Sequence, residues 1–255
     1  MIEGFLDEIL GQLWLVAAVF LRIGPAFSLA PGYGESFVSA RVKLIIALFY
    51  SIAAAPVLQP YIPAERPVGS ELVWFALFEV TIGYLIGVIS RGVIFLIEKA
   101  GAVISQSVSL AQMLGNATAP MPVISHILTT AALAIIFSTT LANQILYAFM
   151  ASYLVDIPSL ENATGYFAGK MTELMNFIFN HGVVLASGVV SLMFVYYLTI
   201  GFINKAMPQF MVSFIGIPFV ALFSMYFLYQ HSELLLTVWQ EKALIILMMP
   251  FEAAK

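Results

Sequence analysis

The amino-acid sequence predicts an all-α integral membrane protein built of helical hairpins with broken helices. Three observations predict it. Of 255 residues, 62% are hydrophobic and 9% charged, against roughly 45–50% apolar and about 25% charged in soluble domains. Several stretches approach the roughly 20 apolar residues that a spanning helix needs. No formal charge occurs between Lys99 and Asp156, between Glu173 and Lys205, or between Lys205 and Glu233, so water cannot solvate most of that surface.

The elements follow in order. Residues 1–8 carry Glu3, Asp7 and Glu8 in place of Lys or Arg, and no small-residue cleavage site follows. This start is expected to remain as a structural helix, not a signal peptide. Apolar runs then occupy 9–31, 42–58, 72–97, 123–155, 174–203 and 210–230. A seventh, 234–250, is interrupted by Glu241-Lys242 and is expected to lie at an interface or to finish a hairpin. Turn signals separate the runs at Pro31-Gly32-Tyr33-Gly34, at Gln59-Pro60-Tyr61-Ile62-Pro63 with Arg66-Pro67, and at Asp156-Ile157-Pro158.

Residues 101–122 are different. They are free of charge yet rich in Ser, Gln, Asn and Thr, and they end in Ala119-Pro120-Met121-Pro122. Irregular backbone at membrane depth is tolerated where it is buried in protein or lines a water-filled cavity. This segment is therefore the first candidate for a pore or gate element. Gln106, Ser107, Met113, Leu114, Gly115, Asn116, Pro120, Met121 and Pro122 are its candidate residues. Methionine suits a deformable seal, because its flexible side chain re-packs around varied shapes.

Charge adds further expectations. With six alternating spans, Arg41, Lys43, Lys99 and Lys205 fall on one side and Arg66, Lys170, Lys242 and Lys255 on the other. That tie gives no orientation by the positive-inside rule. Arg22, Glu79 and Arg91 lie within apolar runs, where a charge faces the protein interior or snorkels to the interface. Glu79 and Arg91 are separated by about 18 Å along a helix and cannot pair with each other. Each is expected to find a partner on another helix or subunit. Gly83 and Gly87 fit a close helix approach or a chance spacing. The stretch Asn204-Lys205-Ala206-Met207-Pro208-Gln209, followed by Gly216-Ile217-Pro218, reads as a helix break. Pro208 is expected to start a new helix and Pro218 to kink it. Polar residues at such a break occur at transport sites, and an ordinary loop gives the same letters.

The net charge of −4 offers no basic field for nucleic acid. With no cysteine, thiol chemistry and Cys-ligated metals are excluded. His126, His181 and His231 lack a metal-binding spacing, and no phosphate-binding glycine loop occurs. Leu185-Ala186-Ser187-Gly188 with His231 loosely fits an intramembrane serine protease, but lacks that motif's usual glycine before the serine. No enzyme activity and no cofactor is expected.

Nearly the whole chain resembles the FliR/SctT family of type III secretion export-apparatus proteins. The resemblance rests on Arg22 followed by Pro25 and Pro31, on Arg41-Val42-Lys43-Leu44, on residues 106–122, and on Asn204-Lys205-x-x-Pro208-Gln209 with Gly216-x-Pro218. The chain departs from the family pattern at Thr118-Ala119-Pro120, Leu141-Ala142-Asn143 and Ser213. The resemblance implies a single membrane domain similar to a FliP/FliQ fusion, with 1–203 FliP-like and 204–255 a FliQ-like hairpin. It implies one copy assembled with FliP and FliQ subunits in a helical, pore-forming export gate, with hairpins raised partly out of the bilayer. Residues 106–122 would plug that pore, and the charges Arg22, Arg41, Lys43, Glu79 and Arg91 would be buried or intersubunit. FlhB and FlhA are implied neighbours, membrane lipid the surroundings, and unfolded exported proteins the cargo. The implied location is the bacterial inner membrane at the flagellar basal body. Two alternatives are a virulence-system SctT homologue and a small-solute secondary transporter with its site at Asn204, Lys205 and Gln209.

Overall fold

A computed structural model describes residues 2–108, 123–154, 160–206 and 212–251, with side chains described outside 2–6, 160–164, 204 and 212–221. No strand occurs among the described residues. Helix α1 (Ile2–Leu29) continues through Pro25. Helix α2 (Ala40–Leu58) closes in a 3₁₀ turn, Gln59–Tyr61. Next come α3 (Ser70–Val108), α4 (Val123–Ser138) and α5 (Leu141–Ala151). The chain then forms α6 (Leu160–Ala206), α7 (Val212–Met248) and a final 3₁₀ turn, Met249–Phe251. Among the described residues, five helices are long and apolar enough to cross a membrane, six if the bent α4–α5 pair is one span. The protein is an all-α integral membrane protein.

Three of the expected elements take another form. From Val212 to Met248 the last two runs form the single helix α7, because nothing between them is proline or glycine and charged side chains do not interrupt a helix. Gly101 to Val108 is not irregular but continues α3. The run 123–155 is not straight: α4 and α5 meet at 76°. The bend falls at Thr139-Thr140, where the Leu141 N–H donates to Thr139 Oγ1 at 3.4 Å.

The chain forms two units. The first comprises Met1–Val93, Thr139–Leu174 and Leu244–Lys255. Its buried residues include Val19, Ile23 and Phe27 of α1 and Ile82 and Ile89 of α3. The Phe27 ring meets the edges or faces of Tyr33, Tyr50 and Phe149 at centroid distances of 5.2 to 5.3 Å. Glycine fixes the α1–α3 approach. A Cβ at Gly83 would overlap the Arg22 carbonyl, and one at Gly87 would sit 3.0 Å from the Ala26 carbonyl oxygen.

The second unit comprises Ile94–Ser138 and Met175–Ala243. Ile97, Ala100 and Ile104 of α3, Ile124 and Ala132 of α4, Ala186 of α6 and Trp239 of α7 are buried. A Cβ at Gly101 would overlap the Ser125 backbone, and Ser125 Oγ donates to the Glu98 carbonyl at 2.9 Å. The Lys99 stem packs on Gly182, its ammonium 5.0 Å from the Phe179 ring centre. Outward faces remain apolar: Phe179, Val184, Phe194 and Phe202 of α6 and Leu222 and Tyr229 of α7 are all exposed. Contiguous apolar surface of this kind belongs against lipid or another protein.

Candidate functional site

Arg22 lies on α1 and Glu79 on α3, inside runs where an isolated charge would be costly. They hold each other. Arg22 Nε donates to Glu79 Oε2 at 2.6 Å and Nη2 to Oε1 at 2.8 Å, and both residues are buried. This two-bond fork is the geometry that guanidinium and carboxylate share. Nη1 donates to the Ser152 carbonyl at 2.9 Å, and the Tyr153 ring lies 3.7 Å from the guanidinium carbon. One arginine thereby ties α1, α3 and the turn after α5.

Arg91, also on α3, pairs with Glu35 in the connection between α1 and α2, at 2.8 and 3.2 Å. Glu79 and Arg91 thus both find partners within this chain, on other elements. The connection is pinned again where Lys43 Nζ donates to the Gly34 carbonyl at 2.9 Å. Gly34 leaves no room for a Cβ, and Gly32 has φ 79°, a conformation that glycine adopts without strain. Burial pushes the Tyr33 phenol up, so it stays neutral through the physiological range. Arg41 is exposed at the start of α2.

Of the gate candidates, Gln106 is exposed and Ser107 half-buried in the last turn of α3. The Ser107 carbonyl accepts from Tyr197 Oη at 3.1 Å, which links α3 to α6 within the second unit. Met113, Leu114, Gly115, Asn116, Pro120, Met121 and Pro122 lie outside the described residues, as do Pro208 and Gln209. Asn204 and exposed Lys205 are in the last turn of α6, while Gly216 and Pro218 fall within α7, which begins at Val212. Ser187 Oγ donates to the Val184 carbonyl. His231 Nδ1 bonds the Phe227 carbonyl at 2.9 Å and its ring stacks on Phe227. Both side chains are bonded within their own helices.

Sequence reasoning missed Glu35, Ser152, Tyr153 and Lys170 as partners. Lys170 was counted only as a loop charge, yet it is buried on α6. Its ammonium donates to Glu173 at 3.1 Å and to the Met249 carbonyl at 3.0 Å. Tyr166 Oη donates to the Pro250 carbonyl. A cation at a helix C-terminus satisfies carbonyls that the helix leaves open.

The family model of bacterial export proteins, family 1, matches residues 13–244. The chain belongs to this family. The match takes in Arg22, Glu35, Glu79 and Arg91 as well as the candidate gate stretch 106–122 and the helix-break stretch 204–218. Flagellar biosynthetic protein FliR of Caulobacter vibrioides is 26% identical over 239 residues, covering 91% of this chain and 93% of that protein. FliR of Escherichia coli K12 is 29% identical over 206 residues, covering 78% of this chain and 76% of that protein. FliR of Pectobacterium carotovorum is 25% identical over 205 residues. Among bacterial export proteins of family 1, this chain is thus similar to flagellar members along most of its length.

Proposed function

We propose that this bacterial export protein is a core subunit of the flagellar type III export gate, helping to form and plug the pore through which unfolded flagellar proteins cross the inner membrane. The observation that carries the reading is the family match over residues 13–244, together with the flagellar name shared by the relatives. Helix geometry supports it. At about 1.5 Å per residue, α6 with its 47 residues is roughly 70 Å long, against a hydrocarbon core of about 30 Å. A helix of that length extends well beyond one bilayer crossing. Its exposed apolar side chains need cover from lipid or from FliP and FliQ subunits, with FlhB and FlhA as further neighbours.

Residues 106–122 are the plug in this reading. A neutral constriction with Met113, Leu114 and Met121 neither traps nor repels particular cargo side chains, and an apolar constriction blocks water and ions by dewetting. Deleting residues 113–120 is expected to raise ion leakage through cells while the complex still assembles. Unchanged conductance in an assembled deletion variant would remove the plug role.

A further inference from the structure

A cavity of about 350 Å³ opens on the first hairpin, lined by Glu8, Gln12, Trp14 and Leu15 of α1 and by Gln59 and Ile62 where α2 ends. The volume falls within the range of small-molecule sites. The candidate span Ala40–Tyr61 ends among these residues, and the apolar run of α1 starts just after Glu8, so the cavity falls where a spanning hairpin meets the headgroups. Trp14 fits that depth, since tryptophan concentrates at membrane interfaces. It is held there by its Nε1–H, which donates to the Pro63 carbonyl at 3.1 Å, and by Phe75, whose ring centre lies 5.5 Å away.

The lining divides by chemistry. Leu15, Ile62 and the indole form an apolar wall, Gln12 and Gln59 supply amides, and Glu8 is the one ionisable group among the described lining residues. Among the described lining residues there is no lysine or arginine to receive an anionic headgroup. A carboxylate beside neutral amide donors suits a ligand that carries an ammonium and a phosphate together.

We propose that this cavity holds the headgroup of an ethanolamine phospholipid, its ammonium on the Glu8 carboxylate and its phosphate facing the Gln12 and Gln59 amides. A primary ammonium donates charge-assisted hydrogen bonds to a carboxylate. Phosphatidylglycerol would instead bring a net negative charge beside Glu8.

The test uses the full chain in the assembly in which mild detergent extracts it. Native mass spectrometry is recorded after equilibration with equal amounts of dioleoyl phosphatidylethanolamine and dioleoyl phosphatidylglycerol. The ethanolamine lipid should be retained about tenfold over the glycerol lipid, and Glu8→Gln should bring that ratio close to one. Gly11 also lines the cavity, and no atom lies within 4 Å of a Cβ built there. Gly11→Phe should therefore fill the space and lose the bound lipid without changing the subunit stoichiometry of the assembly. Equal retention of both lipids by the natural protein, or an undiminished preference in Glu8→Gln, overturns the proposal. If Gly11→Phe fails to assemble, the Glu8→Gln ratio decides alone.

Discussion

Truncating either half of the Arg22–Glu79 fork leaves the other charge buried and unpaired, which costs about 3 to 5 kcal/mol in comparable sites. Arg22→Met and Glu79→Met should each lower the yield of folded chain in membranes sharply. The double variant, with two apolar side chains and no orphaned charge, should recover much of it. Single variants that accumulate like the natural protein would show that the fork contributes little. Gly83 offers a second residue-scale expectation. Because a Cβ there meets the Arg22 backbone, Gly83→Ala should separate α1 from α3 and lower thermal stability in detergent. Gly11→Ala, on α1 but facing open space, should be neutral or gain up to about 1 kcal/mol through helix propensity. Equal melting temperatures for Gly83→Ala and the natural chain would contradict the close approach.

Helix α7 gives the clearest test among the elements. A proline at position 232 would remove a backbone donor and clash with the preceding turn, at about 3 kcal/mol or more. Ser232→Pro should therefore disrupt folding if 212–248 is one helix. Normal accumulation of that variant would indicate a natural break there. The positions of the apolar runs were legible because hydropathy marks which residues avoid water, but their ends were not. Glu241-Lys242 read as an interruption, although a charged pair on a long helix merely needs a solvated or paired face. Gly101, Ser105, Gln106 and Ser107 read as irregular backbone, although α3 absorbs them, with Gly101 serving close packing on Ser125. The α4–α5 bend left no signal, since Thr139-Thr140 contains neither proline nor glycine. The charged clamps were half legible. That Arg22, Glu79 and Arg91 needed partners followed from desolvation, whereas Glu35 and Ser152 became partners only through tertiary contacts 56 and 130 residues away in sequence.

At the scale of the whole molecule, long apolar helices carry a few charges paired within the chain, Arg22 with Glu79 and Arg91 with Glu35, and outward faces that water cannot cover. Pinning Arg22 and Arg91 to carboxylates of the same chain leaves neither as an unpaired charge in the first unit. In the proposed gate, the neighbours of the outward faces are unlike subunits, and the neutral segment 106–122 supplies the closure. The most direct test is the mass of the intact complex released from membranes by mild detergent. One copy of this chain bound to several copies of two different membrane proteins is the expected result. A mass that corresponds to this chain alone, or to a small ring of identical copies, would contradict the export-gate reading and favour a self-sufficient carrier.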